Sequence, residues 1–472
     1  MVQTTLGAPV EEKVESCSPA AKRVRWDDSV AEMNHDAHKS ATNNQVQQPR
    51  PSSSANEAIR LLSVGAGTGQ NEYSKEYKPE FTHQLFQEER IASYAEGEVS
   101  IRVLYSSTSL HFLVKLQTCD NDTARKAEIL SRLSKALPSE GDYSTDESEF
   151  MHLLEGRQSD FKPPGTRVHE YKRGKKTFGV YCTTGEDPGA HEYHDRAQSL
   201  APWFIETADR IDLKDDRWEV FYLFEEEVPR QVLGEKWRPA AFVGYFTVFG
   251  FRNPVKGISL RICQALVLPQ YQRQGHGQAL LMFLYDVARE REGVFEITVE
   301  DPAPGFENLR NLVDARLLRD HKAFRKDLLS PGTFQRPSKE AVQAAHKALK
   351  LTVSQVEIGF DILKARDVTV PPITTPSVPT NIDAFSKPEA SAEPDSVGMR
   401  EREEADVMRK PYRLMVKRRL LKRYGEELSA DAPVRKRQLD DFYREVEDAF
   451  LSLGGKLKKE GVVSQAEVAA SK

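Results

Sequence analysis

The 472-residue chain has few cysteines, no long apolar run and little net charge. Its four cysteines, Cys17, Cys119, Cys182 and Cys263, are scattered, without a Cys-x-x-Cys pair or zinc-ligand spacing. That speaks against a disulfide framework and a structural metal; a reduced, intracellular protein is the simplest account. No stretch reaches the ~20 apolar residues a membrane-spanning helix needs, and the amino terminus lacks the apolar core of a signal peptide. Neither a membrane span nor secretion is therefore expected. The net charge of −5, from 67 basic and 72 acidic side chains, argues against a surface dominated by nucleic-acid binding and permits a basic protein substrate. Residues 1–55 lack Phe, Tyr and Ile and are rich in Ser, Ala, Gln and Asn, too little apolar surface to offset chain entropy. They are expected to be a disordered tail. Within it, Lys22-Arg23-Val24-Arg25 is a cluster of the kind nuclear import reads, and equally of the kind chance produces.

What the chain does have is a strand, a glycine-bearing turn and a helix in succession. From Ile258 to Leu268 the even positions are apolar except Gln264, a period of two that predicts a strand. Leu280, Leu284 and Val287 recur at helical spacing. Between them lies Gln272-Arg273-Gln274-Gly275-His276-Gly277-Gln278. Backbone N–H groups at a helix start have no internal partner and lie at the positive end of the helix dipole. Gly275 and Gly277 lack Cβ atoms, so a phosphate can approach the main chain. A pyrophosphate-bearing cofactor is the ligand this suits, with His276 acting through its backbone. The Gly-Lys-Ser/Thr ending of a P-loop is absent, since Gly277 is followed by Gln278 and Ala279. A dinucleotide fingerprint is short of one glycine, Leu280 standing in the third place.

A second strand runs from Phe295 to Glu300, with Phe295, Ile297 and Val299 expected on one face; Pro302 ends it. Glu300 and Asp301 then sit at a strand end. Such a pair can take a proton from an attacking nucleophile, and is otherwise a solvated acidic strand end. Cys263, on the strand before the turn, is a less favoured candidate nucleophile, because cysteine is often a small buried hydrophobe.

These features resemble a known family. The loop is similar to the Gln/Arg-x-x-Gly-x-Gly/Ala signature of GCN5-related N-acetyltransferases. Glu296–Pro302 followed by Phe306–Arg310 looks like the catalytic subunit of type B histone acetyltransferases, as do Phe81–Phe86, Asp160–Thr166, His191–Arg196, Trp203–Ala208 and Asp215–Trp218. The similarity covers roughly 56–368 and resumes near 407–450. It implies an α/β (α+β) acetyltransferase fold with an amino-terminal mixed α/β domain and a carboxy-terminal helical region. It implies acetyl-CoA as co-substrate, held along Ala265, Leu266 and Val267 by main-chain bonds, on Gln272 to Gln278 by its pyrophosphate, and near Ala303, where some members have a polar residue. It implies Glu300 as leading general base, with Asp301 and Glu206 as the other active-site acids. Contacts to a peptide substrate fall on Glu88 and Glu89 and on Phe249-Gly250-Phe251, with Arg90 in place of an acid. The implied substrate is the tail of free, newly made histone four, and the implied partner a WD-repeat β-propeller histone chaperone, in cytoplasm and nucleus. Neither a metal nor sequence-specific nucleic acid is expected. A same-fold acetyltransferase for other proteins and a non-catalytic acyl-CoA-binding scaffold remain alternatives.

Composition and pattern divide the chain into the tail, a substrate-groove domain over 56–200, an acetyl-CoA-binding core over 201–330 and a helical region over 331–472. Ser100–Tyr105, Leu110–Leu116, Trp218–Phe224 and Phe242–Phe249 read as strands. Six prolines between 371 and 394 predict a flexible insertion over about 371–405. Arg409–Arg423 reads as a basic amphipathic helix packing Leu414, Leu420 and Leu421 on the body, with nuclear import or nucleic-acid contact as the other reading.

Overall fold

The structure, a computed structural model, describes residues 51–66, 71–73, 76–157, 161–227, 238–324, 329–369 and 396–470. Most of the expected tail, with Cys17 and Lys22–Arg25, and most of the expected insertion fall outside these residues.

The amino-terminal part comprises β1 (Ser52–Ser54), α1 (Ala55–Ala58), β2 (Ile59–Ala66), β3 (Asn71–Tyr73), β4 (Arg90–Ala92), β5 (Val99–Ser106), β6 (Phe112–Thr118), α2 (Thr123–Leu133), β7 (Tyr143–Ser144) and α3 (Glu147–Arg157). Five of its strands form one sheet in the order β3-β2-β5-β6-β7, while β1 pairs with β4. Then come β8 (Thr166–Arg173), β9 (Lys176–Thr183), α4 (Ala190–Gln198), β10 (Trp218–Glu227), β11 (Arg238–Asn253), β12 (Gly257–Val267), α5 (His276–Glu290), β13 (Val294–Val299) and α6 (Pro304–Asp320). The chain continues through α7 (Lys339–Leu349), α8 (Val353–Ala365), α9 (Ser396–Tyr424) and α10 (Ala432–Ala470). Strand β1 thus begins inside the stretch expected to be a tail, and α9 inside the stretch expected to be an insertion.

Six strands, β13-β12-β11-β10-β9-β8, form the central sheet, antiparallel except for the β12–β13 pair. The β8–β9 hairpin belongs to this sheet although it precedes residue 201, where the core was expected to begin. Consecutive apolar residues in β10 show why the sheet is buried on both faces. Phe221 and Leu223 point to a core built with α5 to α10, whereas Val220, Tyr222 and Phe224 point to a second core shared with α4 and the amino-terminal sheet.

Two patterns differ from the sequence reading. In β13, Ile297 and Val299 share the helix-side core as expected, but Val294 joins them in place of Phe295. The register jumps from Ile258↔Val294 to Ser259↔Glu296, so Phe295 is an extra residue that shifts the alternation. In α9, Leu414 and Leu421 are exposed, and the buried face is Tyr412, Met415, Val416, Arg419 and Leu420. Arg419 and Arg336 both bond the fully buried Asp361 of α8, at 2.6 and 2.9 Å. That bridge sets the rotation of α9 in place of a leucine stripe.

Strands β11 and β12 pack closely at Gly244, where an added Cβ would lie 2.1 Å from the carbonyl oxygen of Leu266. Gly244→Ala should therefore push the strands apart and cost about 1–3 kcal/mol. A clear fall in thermal midpoint by calorimetry is expected; an unchanged midpoint would contradict this close packing.

Candidate active site

The site begins with one extra residue in β12. Ile262 pairs with Val248 and Gln264 with Thr247, leaving Cys263 unopposed as a β-bulge. The bulge exchanges the faces of the strand. Leu260 and Ile262 belong to the helix-side core, while Leu266 and Leu268 belong to the opposite core and Ala265 and Val267 pack against the helix side. Strand β13 leaves β12 at the same point. Their last register pair is Ile262↔Val299, closed by the Glu300 N–H donating to the Ile262 carbonyl at 2.9 Å. Past it the edge of β12 is open. Gln264 N–H donates to Thr247 Oγ1 and Leu268 N–H to the Val243 carbonyl, both at 2.9 Å and both toward β11. By alternation, Ala265 and Val267 direct their main-chain groups into the gap, whereas the Leu266 carbonyl lies against Gly244. An extended ligand bearing amides can dock on such an edge as a further strand does.

At the mouth of the gap two helices start without side-chain caps, α5 after Gly275 and α6 after Ala303. Gly275 has φ 86°, which brings the chain into the helix with its first N–H groups unpartnered within the helix. The loop holds its own shape: Gln272 Nε2 donates to the Val267 carbonyl at 3.0 Å and Gln274 Nε2 to the Gln270 carbonyl at 2.8 Å. Arg273 is exposed at φ 61°, Gln278 is half-buried, and Gly277 leaves room for Leu309 of α6, 3.0 Å from where a Cβ would stand. His276 is packed. Its ring lies 4.5 Å from Phe178, its Nδ1 meets the Tyr171 hydroxyl at 2.7 Å, and burial lowers its pKa to about 4, so it is neutral at pH 7. The open edge and the two uncapped helix starts fit an extended thioester arm ending in a pyrophosphate.

Glu300 and Asp301 stand exposed at the end of β13, on the rim of the gap. Asp301 has φ 30°, a strained value for a non-glycine residue, of the kind that gathers at functional sites. The Glu300 carboxylate meets the Cys263 thiol; burial first, and that carboxylate second, push the thiol well above its usual range. Cys263 therefore stays protonated and makes a poor covalent carrier. Glu206 is exposed on the loop after α4, its carbonyl accepting from Gln84 Nε2 at 2.8 Å. Among the described residues no hydrogen bond joins Glu206 to Glu300 or Asp301.

The residues expected to touch a peptide divide. Phe249 and Phe251 stack edge-to-face at 4.7 Å, Phe249 capped by the Arg217 guanidinium at 4.5 Å and Phe251 by that of Arg261 at 4.2 Å. Gly250 lies between them, its N–H donating to the Arg217 carbonyl at 3.0 Å. Glu88, at φ 52°, is exposed and lines a cavity with Phe86, Ile91 and Arg125. Glu89, at φ 55°, is already engaged, accepting from Thr82 N–H at 3.1 Å and Asn56 Nδ2 at 3.3 Å. Its carboxylate shapes the loop that presents Glu88. Arg90 bonds the Ser52 hydroxyl at 3.1 Å and pairs with Glu96.

Sequence reasoning passed over Gln264 except as a break in the apolar pattern. It is buried, accepts from the Tyr245 hydroxyl at 2.8 Å, and donates to the Asp209 carbonyl at 2.7 Å. One amide thus ties the bulged strand to the loop that carries Glu206. A polar residue on an otherwise apolar face was the signal available.

Two family models match in overlapping halves of this region. Residues 51–206 match the one described as Histone acetyl transferase HAT1 N-terminus, and residues 191–305 the Acetyltransferase (GNAT) family. Over residues 191–305 the sheet and helices described above thus have the fold of the Acetyltransferase (GNAT) family. More narrowly, the chain is a relative of the type B histone acetyltransferase catalytic subunits. It is 29% identical to that of Homo sapiens over 320 residues, covering 66% of this chain and 73% of that protein. It is 31% identical to that of Mycosarcoma maydis over 312 residues, covering 60% and 65%. Against two Dictyostelium discoideum subunits, at 28% and 29% identity, it spans 61% and 58% of their length. A solved aminoglycoside acetyltransferase aligns at 15% identity over 32% of this chain and 90% of its own, with a TM-score of 0.21, too low to carry weight.

With its thiol held protonated, Cys263 is not expected to carry an acyl group. Cys263→Ala should keep acetyl transfer within about threefold of wild type in a steady-state assay. A loss of 10²-fold, or an acetylated Cys263 trapped by mass spectrometry, would contradict this.

Proposed function

We propose that the chain is a protein-lysine N-acetyltransferase that uses acetyl-CoA to acetylate the amino-terminal tail of free histone four. The observation that carries this reading is the gap between β12 and β13, open beyond the Cys263 bulge, with uncapped helix starts at its mouth and Glu300 on its rim. Acetyl-CoA, when bound, supplies an activated acyl group as a thioester. The main-chain groups of Ala265 and the N–H of Val267 orient its arm, and the first N–H groups of α5 take its pyrophosphate. A main-chain N–H on the bulged strand stabilises charge on the thioester oxygen.

Glu300 is the group that accepts a proton from the incoming lysine. It is exposed to the substrate side and anchored through its own N–H to Ile262, so its backbone is fixed relative to the bulge. Asp301 and Glu206 supply further negative charge that draws the ammonium in and orients it. The support for a histone substrate is the similarity to proteins named for that activity, together with the acids at Glu88, Glu206, Glu300 and Asp301, which suit a lysine-rich peptide. A WD-repeat β-propeller histone chaperone as partner, and work in both cytoplasm and nucleus, belong to the same proposal.

The test is mass spectrometry of free histones incubated with acetyl-CoA and enzyme, beside Glu300→Gln. Wild type should acetylate tail lysines of histone four, and the variant should lose about 10²-fold or more in turnover while still binding acetyl-CoA. Indifference to free histone would overturn the substrate, and wild-type turnover in the variant would overturn the base.

A further inference from the structure

The β8–β9 hairpin ends at the phosphate loop, yet it lies 102 residues away in sequence and outside the segment matched to the acetyltransferase family. Its tip reads Lys172-Arg173-Gly174-Lys175-Lys176, four cations in five residues, all exposed, with the turn made by Gly174 at φ 57°. Arg173 Nη2 donates to the Gly275 carbonyl at 3.3 Å, and its guanidinium lies 5.6 Å from the centre of the Tyr171 ring. Tyr171 in turn bonds His276. The hairpin tip is thus fastened to the residue that starts α5. Lys176 pairs with Glu225, but among the described residues Lys172, Arg173 and Lys175 have no carboxylate partner.

This placement is electrostatically unfavourable as it stands. The start of a helix carries the positive end of its dipole and attracts anions, and cations belong at the other end. The first turn of α5 has no acidic side chain to offset them. A cationic hairpin held against a positive helix end makes physical sense when both face a shared anion.

We infer that the β8–β9 hairpin tip, through Arg173 with Lys172 and Lys175, is a second binding element for the phosphate groups of acetyl-CoA, complementing the main-chain N–H groups of α5. The inference rests on the reading of this gap as an acetyl-CoA site. It assigns cofactor affinity in part to the region matched to the HAT1 amino-terminal family.

The experiment is calorimetric titration of the full chain with coenzyme A, beside a steady-state assay with acetyl-pantetheine, which carries the thioester and no phosphate. Arg173→Glu should weaken coenzyme A binding by about tenfold or more and flatten its dependence on salt, while KM for acetyl-pantetheine stays unchanged. Lys175→Glu, at an exposed side chain, should weaken coenzyme A binding by a smaller factor in the same direction. Coenzyme A affinity within twofold of wild type in both variants would overturn the inference. So would an equal loss toward acetyl-pantetheine, which would mean that the loop itself had moved. Wild type that fails to bind coenzyme A at all would instead sink the acetyl-CoA reading.

Discussion

Everything in the site depends on the single unpaired residue in β12. A sheet with every strand fully paired has no vacant backbone along an inner strand. Here Cys263 interrupts the pairing with β11, and β13 departs at the same level, so the last residues of β12 keep one edge paired and one edge free. The free edge is held rigid by its neighbour, which is what a strand-like ligand needs: main-chain groups already in place and no ordering cost at binding. The same extra residue reverses which side chains face which core, and that reversal is stable because both faces of the sheet are covered.

Covering both faces also joins the two halves of the molecule at the chemistry. The amino-terminal sheet packs on the core that holds Tyr222, Tyr245 and Leu266. From this side Gln84 holds the carbonyl of Glu206, while Gln264, next to the bulge, holds the carbonyl of Asp209. The loop bearing Glu206 is therefore fixed by two side-chain amides, one from each half. On the helix side, the hairpin of β8 and β9 reaches the start of α5. Residues distant in sequence meet around one gap because the sheet brings the outer hairpin and the inner splayed strands to the same end.

Much of the core was legible from pattern. The even-numbered apolar residues of β12, the glycine turn and the helical spacing after it all describe local structure, and local structure follows from residues close in sequence. Glu300 at a strand end followed from alternation and Pro302. Other readings failed for identifiable reasons. The alternation read across β13 missed an extra residue at Phe295, because a bulge is defined by the partner strand and not by the strand itself. The leucines of α9 suggested one buried face, but the Asp361 bridge to Arg419 and Arg336 turned the helix another way. Glu88 and Glu89 looked equivalent as adjacent acids, yet the fold commits one to Thr82 and Asn56 and leaves the other exposed.

The sequence by itself determined the strand–turn–helix unit, the glycines of its turn and the acids available, because each is a property of short-range geometry and residue chemistry. Only the tertiary structure decided where β12 is left unpaired, that Cys263 faces Glu300 and stays protonated, that Gln264 bridges to the Glu206 loop, and that a basic hairpin 102 residues distant reaches Gly275. Those depend on pairing register and on which elements share an end of the sheet, and contacts between distant segments leave no periodic trace in the sequence of either one.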